Sequence, residues 1–120
     1  MNKLTLMEQE RLFIGLCSDT IQDIHLTDRA LLRKHNKAHT KMHTLLRQVN
    51  SDEVAAERFF MDLMENPDPK VRQSAAEAAL AFHACTEQAL GILRPIAEGS
   101  DANAAFHAGM AISVWENPPE

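Results

Sequence analysis

Apolar residues return at intervals of three and four along nearly the whole chain, and no stretch alternates apolar and polar residues long enough for a strand. Thr5 and Glu8 have capping-box spacing. Leu6, Leu12, Phe13, Leu16, Cys17, Ile21 and Ile24 then mark a first helix of about five turns. Thr27 or Asp28 is placed to cap a second helix running to about Val49, with Leu31, His35, Ala38, Met42, Leu45 and Val49 as its narrow core stripe. Ser51 or Asp52 starts a third helix with a wide apolar face of Ala56, Phe59, Phe60, Leu63 and Met64. It ends at Asn66-Pro67-Asp68-Pro69, where Pro69 suits the first turn of a fourth helix. Thr86 is expected to cap a fifth helix, and Gly99-Ser100-Asp101 separates it from a sixth that runs to about Trp115.

Sliding the chain by 33 residues aligns these helices in pairs. Ala56 falls on Ala89, Phe60 on Leu93, Leu63 on Ile96, Asp68 on Asp101, Ala75 on Ala108, Ala76 on Gly109 and Phe82 on Trp115. A helix-turn-helix unit cannot bury both of its apolar faces alone, so two such units in register are expected to stack, with alanine and glycine at the close crossings.

Composition agrees with helices: alanine, leucine, glutamate and methionine abound, tyrosine is absent and glycine numbers four. Charges at Lys3, Glu8, Glu10 and Arg11 interrupt any signal-peptide core, and no apolar run is long enough to span a bilayer, so a cytoplasmic protein is expected. Cys17 and Cys85 lie in apolar helical patterns and are expected to be reduced and buried. The net charge of −5 hides a strong asymmetry. Arg29, Arg33, Lys34, Lys37, Lys41 and Arg47 fall in one segment without an acid, leaving six bases against seventeen acids elsewhere.

Leu63 to Leu80, LMENPDPKVRQSAAEAAL, resembles a HEAT repeat: the apolar end of one helix, an Asp-Pro turn, Val-Arg, then an alanine-rich helix. The second copy keeps Asp101 but has Ala105 where the first has Arg72, and Pro95 fits the proline found in the first helix of many HEAT pairs. Lys34-His35-Asn36, Asn66-Pro67 through Ala79, and Gly109-Met110 extend the likeness over residues 30 to 115. There the chain is similar to a small bacterial HEAT-like family filed as a domain of unknown function. The resemblance implies an all-α, right-handed superhelix of about six helices in stacked antiparallel pairs. It would form one domain over 1–120, comprising an N-terminal pair over 5–50, a first HEAT-like pair over 52–83, a second over 86–115 and a tail over 116–120.

Candidate chemistry is sparse. His35, His39 and His43 stand at i, i+4 and i+8, a spacing that can present imidazoles to a divalent metal. His35 lies in the apolar stripe, where the resembled family usually carries tyrosine, so a packing role is expected and no metal or cofactor is assigned. No nucleophile, acid-base pair or phosphate loop is recognisable, which predicts a protein that is not an enzyme. The basic segment can meet phosphates, but no aromatic is interleaved with it and the pI is about 5.6.

A protein partner is therefore expected, met by basic Lys34, Lys37 and Lys41 or by acidic Glu57, Asp62, Glu65 and Asp68. Its role is expected to be that of an immunity protein covering the active site of a cognate toxin. A nucleic-acid-associated protein and a homodimeric adaptor are the alternatives.

Overall fold

Four of the described helix starts are fixed by a side-chain cap. At the first, the Thr5 backbone N–H donates to Glu8 Oε1 at 3.0 Å while Glu8 N–H donates to Thr5 Oγ1 at 3.2 Å, closing the expected capping box. The Thr5 backbone N–H first, and then the Thr5 side chain, hold the Glu8 carboxyl below the usual carboxylate range. The computed structural model describes residues 5–19 and 29–117, with the side chains at 18, 19, 29–32 and 35 outside that description. The expected Ile21 and Ile24 positions, the Thr27 or Asp28 cap, the last tail residues and the His35 side chain lie outside the described residues.

Among the described residues there are six helices and no strand: α1 (Leu6–Asp19), α2 (Arg29–Val49), α3 (Glu53–Met64), α4 (Pro69–Ala81), α5 (Thr86–Ala97) and α6 (Ala102–Glu116). The fold is all-α. Two compact units divide it, Met1–Ala55 and Ala56–Glu120.

In the first unit α1 packs along α2. Phe13, Leu16 and Cys17 are buried on α1, and Ala38, Leu45, Leu46 and Val49 on α2, with Met42 half-buried beside them. Burying a leucine- or phenylalanine-sized side chain contributes about 1.5–3 kcal/mol, so these positions fix which side of α2 is left to solvent. Asp52 caps α3 as expected, its Oδ1 accepting from Val54 N–H at 3.0 Å and Ala55 N–H at 3.3 Å.

In the second unit α4 packs on α5 and α6, and α5 on α6. The 33-residue register is visible in its caps. Asp68 (φ −79°, ψ 117°) and Asp101 (φ −78°, ψ 104°) hold the same backbone conformation at the N-termini of α4 and α6. Asp68 Oδ1 accepts from Lys70 N–H at 2.9 Å and Asp101 Oδ1 from Ala104 N–H at 3.1 Å. Arg72 braces the first turn by donating from Nη1 to the carbonyls of Asn66 at 2.8 Å and Pro67 at 3.0 Å. At Ala105 the second copy has no side chain that can do this. Ala75 and Ala108 are both fully buried, as crossings of closely packed helices require.

Several expectations need correction. Thr86 does not cap α5; Cys85 occupies the N-cap, with φ 49° and no side-chain cap bond, and is half-buried rather than within a helix. The cause lies just upstream, where α4 ends in a Schellman motif. Ala84 N–H donates to the Ala79 carbonyl at 2.8 Å and His83 N–H to the Leu80 carbonyl at 3.2 Å, with His83 at φ 56° in the place usually taken by glycine. That turn carries Phe82 outward to 38 % exposure, so it is not a core counterpart of half-buried Trp115. Gly99 does not adopt a positive φ. A Cβ there would meet the Ile96 carbonyl oxygen at 3.2 Å, so what the site requires is a close approach. The second copy is also less deeply packed: Ile92, Ile96, Ala104 and Ile112 are half-buried, and Ala108 is the buried residue of α6.

Candidate interaction surfaces

Successive helical residues advance by about 100°, so Lys34, Lys37 and Lys41 project within about 60° of arc on α2. All three are exposed, as are Arg33 and, further around the helix, Arg47. The buried positions Ala38, Leu45, Leu46 and Val49 centre about 90° around the helix from them, so Lys34 and Lys41 flank the packed stripe. The result is a basic helix face without a carboxylate along its length. Beside it, an open groove of about 270 Å³ is lined by Leu12 of α1 and by Thr40, Lys41, Thr44, Leu45 and Gln48 of α2. Leu12 is 38 % exposed, so the groove has an apolar wall and a lysine on its rim. The Thr40 and Thr44 hydroxyls donate back to the Asn36 and Thr40 carbonyls, each at 3.1 Å, and so present their methyl sides.

The acidic candidates do not form a comparable stripe. Glu57 and Asp62 stand five residues apart on α3, about 140° around the helix. Asp62 is half-buried and paired with Arg58 at 3.4 Å, while Glu65 is exposed in the turn that follows. Asp68 is exposed but has one carboxylate oxygen committed to the α4 cap. Glu57 lies next to Cys85, whose Sγ donates to the Glu57 carbonyl at 3.7 Å. Burial, then the Glu57 charge, pushes that thiol up.

The imidazoles of His39 and His43 are exposed, with ring centroids 6.2 Å apart and planes tilted by 31°. Among the described residues no group of three histidines, cysteines or carboxylates is gathered to hold a metal ion. No described helix is long and apolar enough to cross a membrane.

Two features escaped sequence reasoning. One is Gln73, buried on α4, whose Nε2 donates both to Glu77 Oε2 at 2.9 Å and to the Ala104 carbonyl of α6 at 3.0 Å. Burial pushes the Glu77 carboxyl up, against the opposing pulls of the Gln73 bond and of His107. A lone glutamine in an alanine-rich helix gives no sign of this beforehand. The other is the outer side of α6, where Phe106, Met110 and Val114 are 64, 51 and 52 % exposed. It was detectable, because α6 carries no basic lysine or arginine and one carboxylate, Glu116, leaving no charged side to turn toward water.

A family model described as a domain of unknown function (DUF2019) matches residues 11–115. No curated protein and no solved structure matches the chain.

Proposed function

The chain belongs to the family described as a domain of unknown function, DUF2019, and we propose that it is a non-enzymatic module that binds an acidic protein through α2. The observation that carries this reading is the lysine stripe of Lys34, Lys37 and Lys41 alongside the Leu12/Leu45 groove. Such a surface speeds association through its charge and holds a partner by seating an apolar side chain. The lysines meet carboxylates, and the groove excludes water from a neighbouring aliphatic group. Aromatic side chains that would stack bases are missing from this face, which favours protein over nucleic acid.

Two narrower statements belong to the same proposal. The fold is a short HEAT-like array, a reading supported by the matching Asp68 and Asp101 caps and by Ala75 and Ala108 buried at equivalent positions. The role is that of an immunity protein in the cytoplasm, with α2 covering an acidic active site of a cognate toxin; this rests on analogy with other small acidic helical proteins.

The test compares proteins captured from the source cells by the wild-type chain and by a Lys34→Glu/Lys37→Glu/Lys41→Glu variant, followed by reconstitution with each purified candidate. A partner with an acidic surface, retained by the wild type and lost by the variant while its helical signal is unchanged, is the expected result. Equal retention by both, or recovery of nucleic acid alone, would remove the reading.

A further inference from the structure

We infer that the element α2 receives from its partner is an acidic amphipathic helix, lying over the α1/α2 groove as a third helix. This rests on the reading of α2 as the binding face and specifies what binds there. The packed stripe of α2, Ala38, Met42, Leu45 and Val49, steps by four, three and four residues, the spacing of a helix-helix seam. One residue ahead of its last three members, and of Ala38, runs a second line with the same steps: Lys37, Lys41, Thr44 and Gln48, with Lys34 three residues earlier. The first line is buried or half-buried, and every member of the second is exposed. A helix with two adjacent seams can pack against two neighbours, and α1 takes the first. The α1 wall has a matching line. Glu8, Leu12 and Gly15 follow the same spacing and are exposed, and a Cβ at Gly15 would meet nothing within 4 Å, so a helix backbone can come close there. Glu8 is the carboxylate of this wall, and its Oε1 accepts from the Thr5 N–H of its own cap.

Charge and spacing together choose the occupant. Lys34, Lys37 and Lys41 fill three successive positions of the open line, on a helix that carries no carboxylate, and are complemented by carboxylates. At the other end Leu12, Leu45 and the methyl of Thr44 form an apolar lining that is complemented by aliphatic side chains. From Lys34 to Gln48 the line rises about 21 Å, and a second helix presents its own seam residues at the same rise, one for each position. Five same-side residues of an extended strand span about 27 Å, so a strand runs out of register by about 6 Å. The occupant is therefore a helix whose seam carries acids along one stretch and aliphatic residues along the next.

The probe is an alanine-based peptide of about 20 residues, long enough to be partly helical alone. It carries glutamate at three seam positions stepped by three and four and leucine at the next two, and is made in both chain orders. The same peptide with a central proline keeps the charges and loses the helix. Amide NMR of the full chain reads binding. The intact peptide, in one of its two orders, is expected to bind with a Kd on the order of 100 µM and to shift Leu12, Gly15 and residues 37–48. The proline peptide is expected to bind at least about tenfold more weakly. Equal binding by the two, or no saturable shift with either order up to about 1 mM, would overturn the proposal. The Lys34→Glu/Lys37→Glu/Lys41→Glu variant separates this from the reading it rests on. If intact and proline peptides bind the wild type equally and the variant binds neither, the helix is refuted and an acidic partner stands. If the variant binds the intact peptide as tightly as the wild type does, both are refuted. The same shifts on concentrating the chain without peptide would assign the groove to a second copy and also overturn the proposal.

Discussion

Replacing Gln73 by methionine removes the buried amide that joins α4 to the first turn of α6, and its cost should depend on pH. Gln73 Nε2 donates to Glu77 Oε2 at 2.9 Å and to the Ala104 carbonyl at 3.0 Å. A hydrogen bond to a charged group contributes about 1.5–3 kcal/mol when well buried. Glu77 is only partly so, and about 1–2 kcal/mol is the expected loss at pH 7. Below about pH 4.5 the carboxyl is neutral in both folded and unfolded chains, and the bond falls to the neutral value of about 0.5–1.5 kcal/mol. The sign follows from the titration of Glu77. Burial raises its folded pKa, so the stability tied to its protonated form is complete below 4.5 and is lost as pH rises through the raised value. Without the Gln73 donor that value rises further, and more stability is lost between pH 4 and pH 7. Urea unfolding followed by the single Trp115, half-buried on α6, reads both pH values. In a Glu77→Gln background the cost of Gln73→Met should become independent of pH, and Glu77→Gln alone should stabilise the chain at pH 7 and not at pH 4. Equal losses at the two pH values in the Glu77 chain would refute the reasoning.

Other perturbations follow from the backbone and the caps. His83 at φ 56° occupies the glycine place of a Schellman motif, and His83→Gly should raise stability by about 0.5–1 kcal/mol, measured by thermal unfolding. Asp68→Ala and Asp101→Ala should each cost about 1 kcal/mol in urea unfolding, because each aspartate satisfies one orphan amide, that of Lys70 and that of Ala104. Markedly unequal losses would show that the two turns are not equivalent. Leu12→Ser should weaken partner binding in calorimetry and cost about 1–2 kcal/mol of stability, since Leu12 is 38 % exposed and the rest of its side chain is buried.

The helices were legible where a local rule and the tertiary need agreed. Thr5 with Glu8, Asp52, and Asp68 with Pro69 each satisfy orphan amides by short-range bonds, so spacing alone predicted their starts. The second helix was legible for the same reason as its candidate site: the stripe of Ala38, Leu45 and Val49 is narrow, so Lys34, Lys37 and Lys41 beside it stay in solvent. The α4–α5 connection was not, because His83 and Cys85 sit in left-handed conformations that their residue types disfavour, and the Thr86 hydroxyl is a cap only by type. The acidic candidates failed as a patch because composition counts charges without their angles. Glu57 and Asp62 point apart, and Asp68 is a cap. Burial along α6 was obscured by its uniform apolarity, which hides which side packs: Ala108 is inside and Phe106 outside.

The central claim is recognition through α2, and amide NMR of the labelled chain titrated with its reconstituted acidic partner tests it most directly. Shifts and line broadening should concentrate at Leu12 and between Arg33 and Gln48, with the α6 amides of Phe106, Met110 and Val114 unmoved. Changes that spare Lys34, Lys37, Lys41 and the Leu12/Leu45 groove while appearing elsewhere on the chain would contradict it.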